Sequence, residues 1–449
     1  MVLTLLLFFF LQNPSIAQDV EKLPTLLTKR SSIVPNITPE QKANLYEFVK
    51  TDPFKLIHPD FKIPDYFDEA TRFWFRIYTE FTSDNVIIHS RDRHSIVLSV
   101  LDVTGLRDAP RAKKIADERK RVTEILKKLA ADTKTCAPKN ECDDILAAIK
   151  RSQYLLPKKE KDREDFYKQL ISEIRSQSGQ KDIILQGLTN IMPFERKLDQ
   201  IFEAFEVPGE LIAVSFLESS FNTRAQSRVG ATGVWQFMKR TGLEYFTITQ
   251  KEDHRLNPLI STLGSLQLLK QNHKRLGRWD LSIWAYNSGP THLIRARTQF
   301  KRDQFDLEYF LENYSHNRIG FASKSFYSSY LALVHALAYK RNLYYEELTS
   351  PLEIPLAVDI NTINFYVTLC AMKPSFIFNA LKATSPDIRQ LNTHILSRYL
   401  DREFQKGTII VSDRPLTARR YYKIPIENYT NRFPKNWPSL VRNQSCSTK

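Results

Sequence analysis

A glutamate at the end of an apolar segment offers the clearest acid/base chemistry in this chain. Apolar residues occupy every side of the helix predicted after Pro208, which is typical of a buried helix, and this helix ends on Glu218 and Ser219. Desolvation and the negative end of the helix dipole both disfavour a carboxylate at this place. A carboxyl group that keeps its proton near neutral pH is what a glycosidase needs to protonate a leaving sugar oxygen. The helix alone, however, is more typical of an ordinary glutamate that emerges into solvent.

The residues that follow Glu218 lack a second acid. No Asp or Glu occurs from Ser219 to Leu243, and the next acidic residue is Glu244. Glycosidases that use two carboxylates hold them roughly 5–10 Å apart. The local sequence supplies no such partner, although a distant carboxylate could fold in. The pattern therefore favours one residue that acts as both acid and base.

Three further motifs follow Glu218 along the chain. They are Ala225-Gln226-Ser227, the nine residues GATGVWQFM from Gly230 to Met238, and WAYNSG from Trp284 to Gly289. In this order and spacing, and with the Glu-Ser pair before them, the motifs resemble those of the family 1 lytic transglycosylases, especially their membrane-bound type D branch. The resemblance extends over about residues 174–338. It implies a lysozyme-like helical domain in which Glu218 is the only catalytic carboxylate.

The resemblance also implies a reaction. Glu218 would protonate the oxygen of the MurNAc-GlcNAc bond in peptidoglycan, and the N-acetyl group of the substrate would stabilise the oxocarbenium-like centre. Glu218 would then remove the proton of the sugar's own 6-hydroxyl, which leaves a 1,6-anhydroMurNAc end and consumes no water. We expect a peptidoglycan lytic transglycosylase without a cofactor. A goose-type lysozyme-like hydrolase and a non-catalytic cell-wall-binding scaffold stay open as alternatives.

The same resemblance implies three polar side chains that bind substrate near the glutamate. Ser219 and Ser227 would be cleft hydroxyls, and Gln236 would bind sugar. Hydroxyl groups at a helix end and in a turn also cap backbone groups, and this structural role explains the two serines equally well.

Two glycines and the WAYNSG motif complete the predicted cleft. Gly230 and Gly233 would permit a turn that brings a strand-like segment, Val234–Met238, beside the cleft, where a larger side chain would block sugar. Tyr286 would lie beside the catalytic glutamate, at the end of another apolar helix. Asn287 would also bind substrate, although with the glycine two residues later it could simply end the helix.

The surrounding sequence predicts a mainly α-helical protein in three parts. An α+β N-terminal region would cover residues 18–175, with a small sheet from Arg72 to Val103 and a helical hairpin after it. The lysozyme-like catalytic domain would cover residues 176–345. A small C-terminal accessory region would cover residues 350–449.

The C-terminal region is the least regular of the three parts. A helical piece is predicted over Asn361–Lys382, and strand-like pieces are predicted over Gly407–Ser412 and Tyr421–Ile426. Related proteins often carry a LysM-like wall-binding module at this place. The sequence leaves open whether this region is LysM-like or is a docked accessory domain.

The start of the chain is typical of a secretory signal peptide. An apolar run from Val2 to Leu11 precedes a break at Pro14 and the small residues Ser15 and Ala17. The run is too short to cross a bilayer, which takes roughly 20 residues. We therefore expect residues 1–17 to be removed and the protein to act in the periplasm or cell envelope.

The four cysteines fit an exported protein with at most two disulfides. Cys136 and Cys142 form the candidate pair, because they flank a short turn between two helical patterns. The chain has no CxxC or HExxH motif, and its nine histidines do not cluster, so no metal site is expected.

The net charge of +15 favours an anionic partner. For an exported chain that partner is the carboxylate-bearing cell wall or a membrane surface, whereas a cytoplasmic chain of this charge would suggest nucleic acid. No recognised nucleic-acid-binding motif accompanies the charge. We expect peptidoglycan glycan strands as the partner, no nucleic acid and a monomeric protein, with peripheral membrane association as an open question.

Overall fold

The computed structural model describes residues 37–131, 136, 139–301, 305–345, 364–381, 391–396, 402–412, 416 and 420–446. The predicted signal peptide, residues 1–17, and the first residues of the predicted C-terminal region, 350–363, lie outside these residues. The described chain is mainly α-helical, as predicted, with two small antiparallel sheets. Within it, no helix combines the length and the apolar character that a bilayer crossing requires.

Three helices open the described chain. They are α1 (Pro39–Ala43), α2 (Leu45–Thr51) and α3 (Asp65–Thr79). A capping box between Thr38 and Gln41 starts α1. Helix α3 occupies residues for which the sequence predicted a strand from Arg72 onward, and that part of the prediction is wrong. The reason is that the aromatic and β-branched residues from Phe73 to Tyr78 favour a strand locally, whereas the charged residues of the whole segment recur at the spacing of one helix face.

The first sheet has the order β2-β1-β3, with all neighbours antiparallel. The strands are β1 (Asn85–Ser90), β2 (Val97–Asp102) and β3 (Ile174–Ser178). The first two lie where the sequence predicted a small sheet. The third was not predicted, and it crosses the limit proposed between residues 175 and 176. The division into domains stays a prediction.

Three charged helices cover this sheet and form a separate core with it. They are α4 (Asp108–Ala131), α5 (Lys139–Lys150) and α6 (Glu160–Glu173). The predicted helical hairpin corresponds to α4 and α5, and a disulfide joins Cys136, between the two helices, to Cys142 in the first turns of α5. Ile88 of the sheet and Ile125 of α4 belong to this core, which is distinct from the larger core of the rest of the chain.

Among the described residues of the part predicted to be catalytic, there are nine α-helices. They are α7 (Lys181–Ile191), α8 (Glu195–Phe205), α9 (Ala213–Ser219), α10 (Lys239–Tyr245), α11 (Pro258–Leu276), α12 (Trp279–Ser288), α13 (Thr291–Phe300), α14 (Leu307–Asn313) and α15 (Phe321–Ala338). Helix α15 lies at the centre, because it packs against α9, α12 and the N-terminal helix α3. Phe67 of α3 meets Tyr327 of α15 edge to face. The N-terminal helices and the catalytic part therefore share one core.

The second sheet lies in the C-terminal region, in the antiparallel order β5-β4-β6. Its strands are β4 (Asn364–Thr368), β5 (Ile409–Ser412) and β6 (Tyr421–Lys423), and the helices α16 (Pro374–Leu381) and α17 (Asn428–Asn431) accompany them. The helix predicted over Asn361–Lys382 is therefore wrong in its first half. Phe365 of β4 packs against Trp437, and this tertiary contact outweighs local helix propensity.

The C-terminal region is docked on helix α11 rather than held by a linker alone. The Gln267 side chain donates hydrogen bonds to the carbonyls of Tyr429 at 3.0 Å and Arg432 at 3.1 Å. Near the start of α11, Asn257 donates to the carbonyl of Leu391 at 2.8 Å. A second disulfide, Cys370–Cys446, closes the region. These contacts describe a docked accessory region, and its likeness to LysM stays a prediction.

Candidate active site

Glu218 stands on the last turn of α9, where the chain changes direction sharply. A short 3-10 turn, Glu210–Ile212, leads into this helix, and the residues from Ala213 to Phe216 are buried, as the sequence predicted. The helix ends because Ser220 and Phe221 both adopt left-handed φ angles, of 49° and 52°. Such angles are costly for residues other than glycine and persist where the surroundings fix them. The complete burial of Phe221 supplies that constraint and holds Glu218 at the helix end.

The carboxyl group of Glu218 is half-buried at the wall of a cleft of about 980 Å³. Burial disfavours its charged form and raises its pKa to about 7. Among the residues that the structure describes, none forms an ion pair or a hydrogen bond with this carboxyl. A carboxyl group with these properties carries a proton in a large part of the molecules at neutral pH, which is the state that a general acid needs.

Tyr286 lies close to Glu218 but is bonded elsewhere. It stands near the end of α12 and lines the same cleft. Its hydroxyl donates a hydrogen bond of 2.8 Å to the carbonyl of Trp235. Burial raises the pKa of Tyr286 well above its ordinary value, and the nearby carboxylate of Glu218 raises it further. Tyr286 therefore stays protonated and fixes the turn that carries Trp235.

The GATGVWQFM segment forms a turn, and the strand-like conformation predicted for Val234–Met238 is wrong. The residues from Gly233 to Gln236 form a turn that is closed by an isolated bridge between Thr232 and Phe237. Thr232 also forms an isolated bridge with Gln226. The indole of Trp235 is fully buried and donates to the hydroxyl of Thr262 at 2.9 Å. This aromatic anchor, rather than pairing in a sheet, fixes the segment beside the cleft.

The two glycines of the turn both adopt left-handed backbone conformations, and their effect on sugar binding stays a prediction. Gly233 has a φ of 77°, and a Cβ atom there would lie 1.8 Å from the carbonyl oxygen of Arg255. Gly230 has a φ of 88°, but a Cβ atom there would meet nothing within 4 Å, and the residue does not line the cleft. The Arg255 guanidinium donates to the carbonyls of Gly230 and Phe237, so it ties both ends of the turn together.

Gln236 is the turn residue that reaches the cleft. Its φ is 48°, and its Nε2 donates to the carbonyls of Gly233 at 2.8 Å and Ala225 at 3.3 Å. Two carbonyl acceptors fix which end of the amide is the nitrogen. Both of these hydrogen bonds use Nε2, so Oε1 is the atom available to a ligand.

The two predicted serines are engaged with the backbone and do not line the cleft. The hydroxyl of Ser219 donates to the carbonyl of Val234 at 2.9 Å, which ties the end of α9 to the turn. The hydroxyl of Ser227 accepts from the backbone N–H of Ala231 at 2.9 Å. This geometry favours the structural role for both residues, as capping groups that hold the loop around Glu218.

Asn287 is exposed at the end of α12, on the lining of the cleft. Its Oδ1 accepts a hydrogen bond of 3.2 Å from the hydroxyl of Ser288. Gly289, with a φ of 76°, ends the helix by donating to the carbonyl of Ala285 at 2.8 Å. The helix is thus ended by Gly289 and not by the side chain of Asn287. The amide of Asn287 can therefore contact a ligand.

The sequence did not indicate the opposite wall of the cleft. Helices α10 and α11 supply it, and their polar residues there are Thr241, Glu244, Tyr245, Gln271, Asn272, Lys274 and Arg275. The Tyr245 hydroxyl donates to Gln271 at 2.8 Å and joins the two helices. On α11 these residues recur at the three- and four-residue spacing of one helix face, but nothing in the pattern says that the face meets Glu218.

No group of three or more His, Cys, Asp or Glu side chains suited to a metal ion occurs within the described ranges. A second acidic residue, Glu244, lines the same cleft as Glu218, although it lies 26 residues later in the chain. The folded cleft therefore contains a second carboxyl group, although the sequence between Glu218 and Glu244 contains no acidic residue.

Comparison with known proteins agrees with this geometry. Residues 203–308 match the Transglycosylase SLT domain family. The chain is 34% identical over 92 residues to the membrane-bound lytic murein transglycosylase D of two strains of Escherichia coli, and the match covers 20% of this chain and 20% of each relative. It is 33% identical over 102 residues to a putative tributyltin chloride resistance protein of an Alteromonas species, which covers 22% of this chain and 49% of that protein.

The matched part spans about a fifth of the length of the first two relatives and about half of the third. The match to the SLT domain family, residues 203–308, begins in α8 and ends in α14. It therefore contains Glu218, the turn and the WAYNSG motif together. Residues 203–308 therefore match a transglycosylase SLT domain, whose fold is lysozyme-like and helical, and the chain is similar over 92 residues to membrane-bound lytic murein transglycosylase D.

Proposed function

We propose that this chain is a peptidoglycan lytic transglycosylase in which Glu218 serves as both acid and base. The observation that carries the proposal is the raised pKa of Glu218, about 7, at the wall of a cleft inside an SLT domain. Near neutral pH such a carboxyl is populated both with and without its proton. The same group can therefore give a proton to the leaving oxygen and later take one from another hydroxyl.

The first step is donation of the Glu218 proton to the oxygen of the MurNAc-GlcNAc bond. The bond from that oxygen to the anomeric carbon of MurNAc breaks, and the positive charge that develops there is stabilised by the N-acetyl oxygen of the same sugar. In the second step the Glu218 carboxylate removes the proton of the sugar's 6-hydroxyl, whose oxygen attacks the anomeric carbon. Glu218 is protonated again, and the product is a 1,6-anhydroMurNAc end.

The neighbouring side chains support this chemistry in different ways. Gln236 and Asn287 line the cleft and offer amide groups to sugar hydroxyl or N-acetyl groups. Tyr286 holds the turn at the carbonyl of Trp235. Ser219 fixes the same turn from the other side through the carbonyl of Val234. We propose that these residues place the glycan against Glu218 rather than take part in proton transfer.

One observation favours a second candidate function, a hydrolase of the goose-lysozyme type. Glu244 is an exposed carboxylate on the lining of the cleft. A second carboxylate can activate water on the far side of the sugar, which gives a reducing end instead of an anhydro end. The two functions therefore differ in the chemical nature of the product.

The deciding experiment is mass spectrometry of the fragments released from purified sacculi. We expect anhydro ends with the unchanged protein, almost none with Glu218→Gln, and an unchanged yield with the control Glu160→Gln, which replaces an exposed residue of α6. Reducing ends in place of anhydro ends would establish the hydrolase instead. An undiminished yield with Glu218→Gln would refute the role of Glu218.

We further propose that the protein acts in the cell envelope. The first two relatives are named as membrane-bound, and the charge of +15 is complementary to the carboxylates of the cell wall. The predicted signal peptide lies in residues outside the described structure. Fractionation of cells that produce the full chain tests the location, and a purely cytoplasmic protein would contradict it.

A further inference from the structure

Two cations at the end of α11 face the cleft without a charged partner. Lys274 and Arg275 line the cleft, and both side chains are exposed. In the part of the chain that the structure describes, neither side chain enters an ion pair or a side-chain hydrogen bond. Exposed cations elsewhere on this protein are often paired, as Lys168 is with Glu164. These two are available to a ligand.

The cations are well separated from the acid. The hydroxyl of Tyr286 lies within hydrogen-bonding reach of Ser265 on α11, and Tyr286 also feels the charge of Glu218. Tyr286, which lies beside the acid, is therefore near the level of Ser265 along this helix. Lys274 follows nine residues after Ser265, which is roughly 14 Å along the helix axis. A group bound by Lys274 and Arg275 would be held away from the cleaved bond.

Lys274 and Arg275 are the two basic residues among the described residues that line the cleft. Glu218 and Glu244 are the two acidic ones, and neither of them forms an ion pair with these cations in the described structure. Beside them Asn272 adds an amide group whose buried Nδ2 has no hydrogen-bond partner in the described structure. An unsatisfied buried donor is costly unless a ligand or water bonds to it. Cations together with a free amide donor suit an oxygen-rich anionic group.

We propose that Lys274 and Arg275 bind carboxylates of the peptide that peptidoglycan carries on its muramic acid, and so make the cleft select peptide-bearing over peptide-free glycan. This inference rests on the proposed function. The sugar rings of the glycan are uncharged, whereas the peptides end in free carboxylates. Arg275 can bind a carboxylate through two parallel N–H donors, and Lys274 adds a point charge.

A purely structural role makes a different prediction. Basic residues in the last turn of a helix stabilise its negative end, and Lys274 and Arg275 both lie in the last turn of α11. If this were their only role, their removal would lower the melting temperature and leave the preference between the two kinds of glycan unchanged. Binding and stability must therefore be measured on the same variants.

The experiment measures binding in the full chain with Glu218→Gln, so that no turnover occurs. The two probes are glycan oligomers that carry their peptides and the same oligomers after an amidase has removed them, which leaves one lactyl carboxylate close to the ring of each muramic acid but none at the distance of the peptide. The variant is Lys274→Gln with Arg275→Gln. The matched control is Lys113→Gln with Lys120→Gln, which removes two exposed cations from α4.

We expect the parent and the control to bind the peptide-bearing probe about tenfold more tightly than the bare one, and the cleft variant to lose this difference. The difference should shrink as salt is raised, because exposed ion pairs are screened. Equal weakening of both probes, a preserved preference in the variant, or no preference in the parent would overturn the inference. A preference without anhydro products from the chain with Glu218 intact would instead count against the proposed function alone.

Discussion

Tyr286 and Trp235 are joined by a hydrogen bond of 2.8 Å from the tyrosine hydroxyl to the backbone carbonyl. The hydroxyl of Tyr286, which lies next to the proposed acid, therefore holds the loop that carries Gln236, the residue after Trp235. The loop and α12 reach the cleft from distant parts of the sequence, and this bond sets their separation. The positions of Gln236 and Asn287, the residues that follow Trp235 and Tyr286, depend on it relative to each other.

Tyr286→Phe tests this dependence. The change leaves the carbonyl of Trp235 without its donor, and an unsatisfied buried group of this kind costs about 1–3 kcal/mol. We expect the free energy of unfolding to fall by that amount in urea titrations and kcat/KM for anhydro product to fall with it. A large loss of activity with unchanged stability would contradict this interpretation, because it would indicate that the hydroxyl contacts substrate directly.

The raised pKa of Glu218 makes stability depend on pH. The pKa is about 7 in the folded chain against an ordinary value of 4.5, so the folded state binds this proton more tightly than the unfolded state. Below pH 4.5 both states are protonated and the group costs nothing. As the pH rises to about 7 the cost of holding a buried carboxylate grows, and above 7 it is complete.

We therefore expect Glu218→Gln to be as stable as the unchanged protein near pH 4 and more stable at pH 8, by about 1–3 kcal/mol after allowance for partial exposure. Urea unfolding of both proteins at the two pH values measures the difference. Equal stability at pH 8 would show that the carboxyl is not strained by burial.

The cleavage rate should also fall as the pH rises above about 7, since only the protonated form of Glu218 can start the reaction. Initial rates of anhydro product from sacculi between pH 5 and pH 9 give the profile. A rate that keeps rising through this range would require a different group as the acid.

The two turn glycines form a matched pair for mutation. Gly233→Ala places a Cβ atom against the carbonyl of Arg255 and also strains a left-handed φ, so we expect a loss of about 3 kcal/mol or more. Gly230→Ala strains only φ, because the space around it is open, and we expect about 1 kcal/mol. Thermal unfolding of the two variants compares them. Equal losses would mean that the contact with Arg255 is relieved elsewhere.

Glu244→Gln separates the two candidate reactions. If Glu218 acts alone, the ratio of anhydro to reducing ends and the total yield from sacculi should stay within about twofold of the unchanged protein, because Glu244 then transfers no proton. Muropeptide mass spectrometry gives both quantities. A selective loss of reducing ends would identify Glu244 as the base that activates water.

Local sequence predicted the parts of the site that depend on local chemistry. The burial of α9 follows from apolar residues on every side. The prediction of Glu218 as the acid rests instead on the motifs that follow it, because its place at a helix end alone is typical of an ordinary glutamate. The glycines at left-handed φ angles lie where the GATG sequence requires a turn. These features are set within a few residues of one another, so the chain order alone contains them.

Long-range packing decided what the sequence did not predict. Helix α3 was mistaken in part for a strand because its aromatic and β-branched residues favour a strand locally, whereas it forms a helix that packs against α15. Strand β3 has the sequence IRSQS, which has no strand pattern, and it forms because Ile174–Ser178 is in register with β1. The approach of Glu244 to the cleft of Glu218 likewise depends on how α10 packs, and no spacing in the sequence records it.

The segment that this chain shares with its relatives is smaller than the unit that must fold. Residues 203–308 end before α15, yet α15 packs directly on α9, the helix that carries the acid. On its other side α15 is covered by α3, far upstream. A fragment cut at the limits of the shared segment would expose the apolar back of α9 to water and would tend to aggregate. Residues 203–308 alone therefore lack the helices that support the back of the proposed active site.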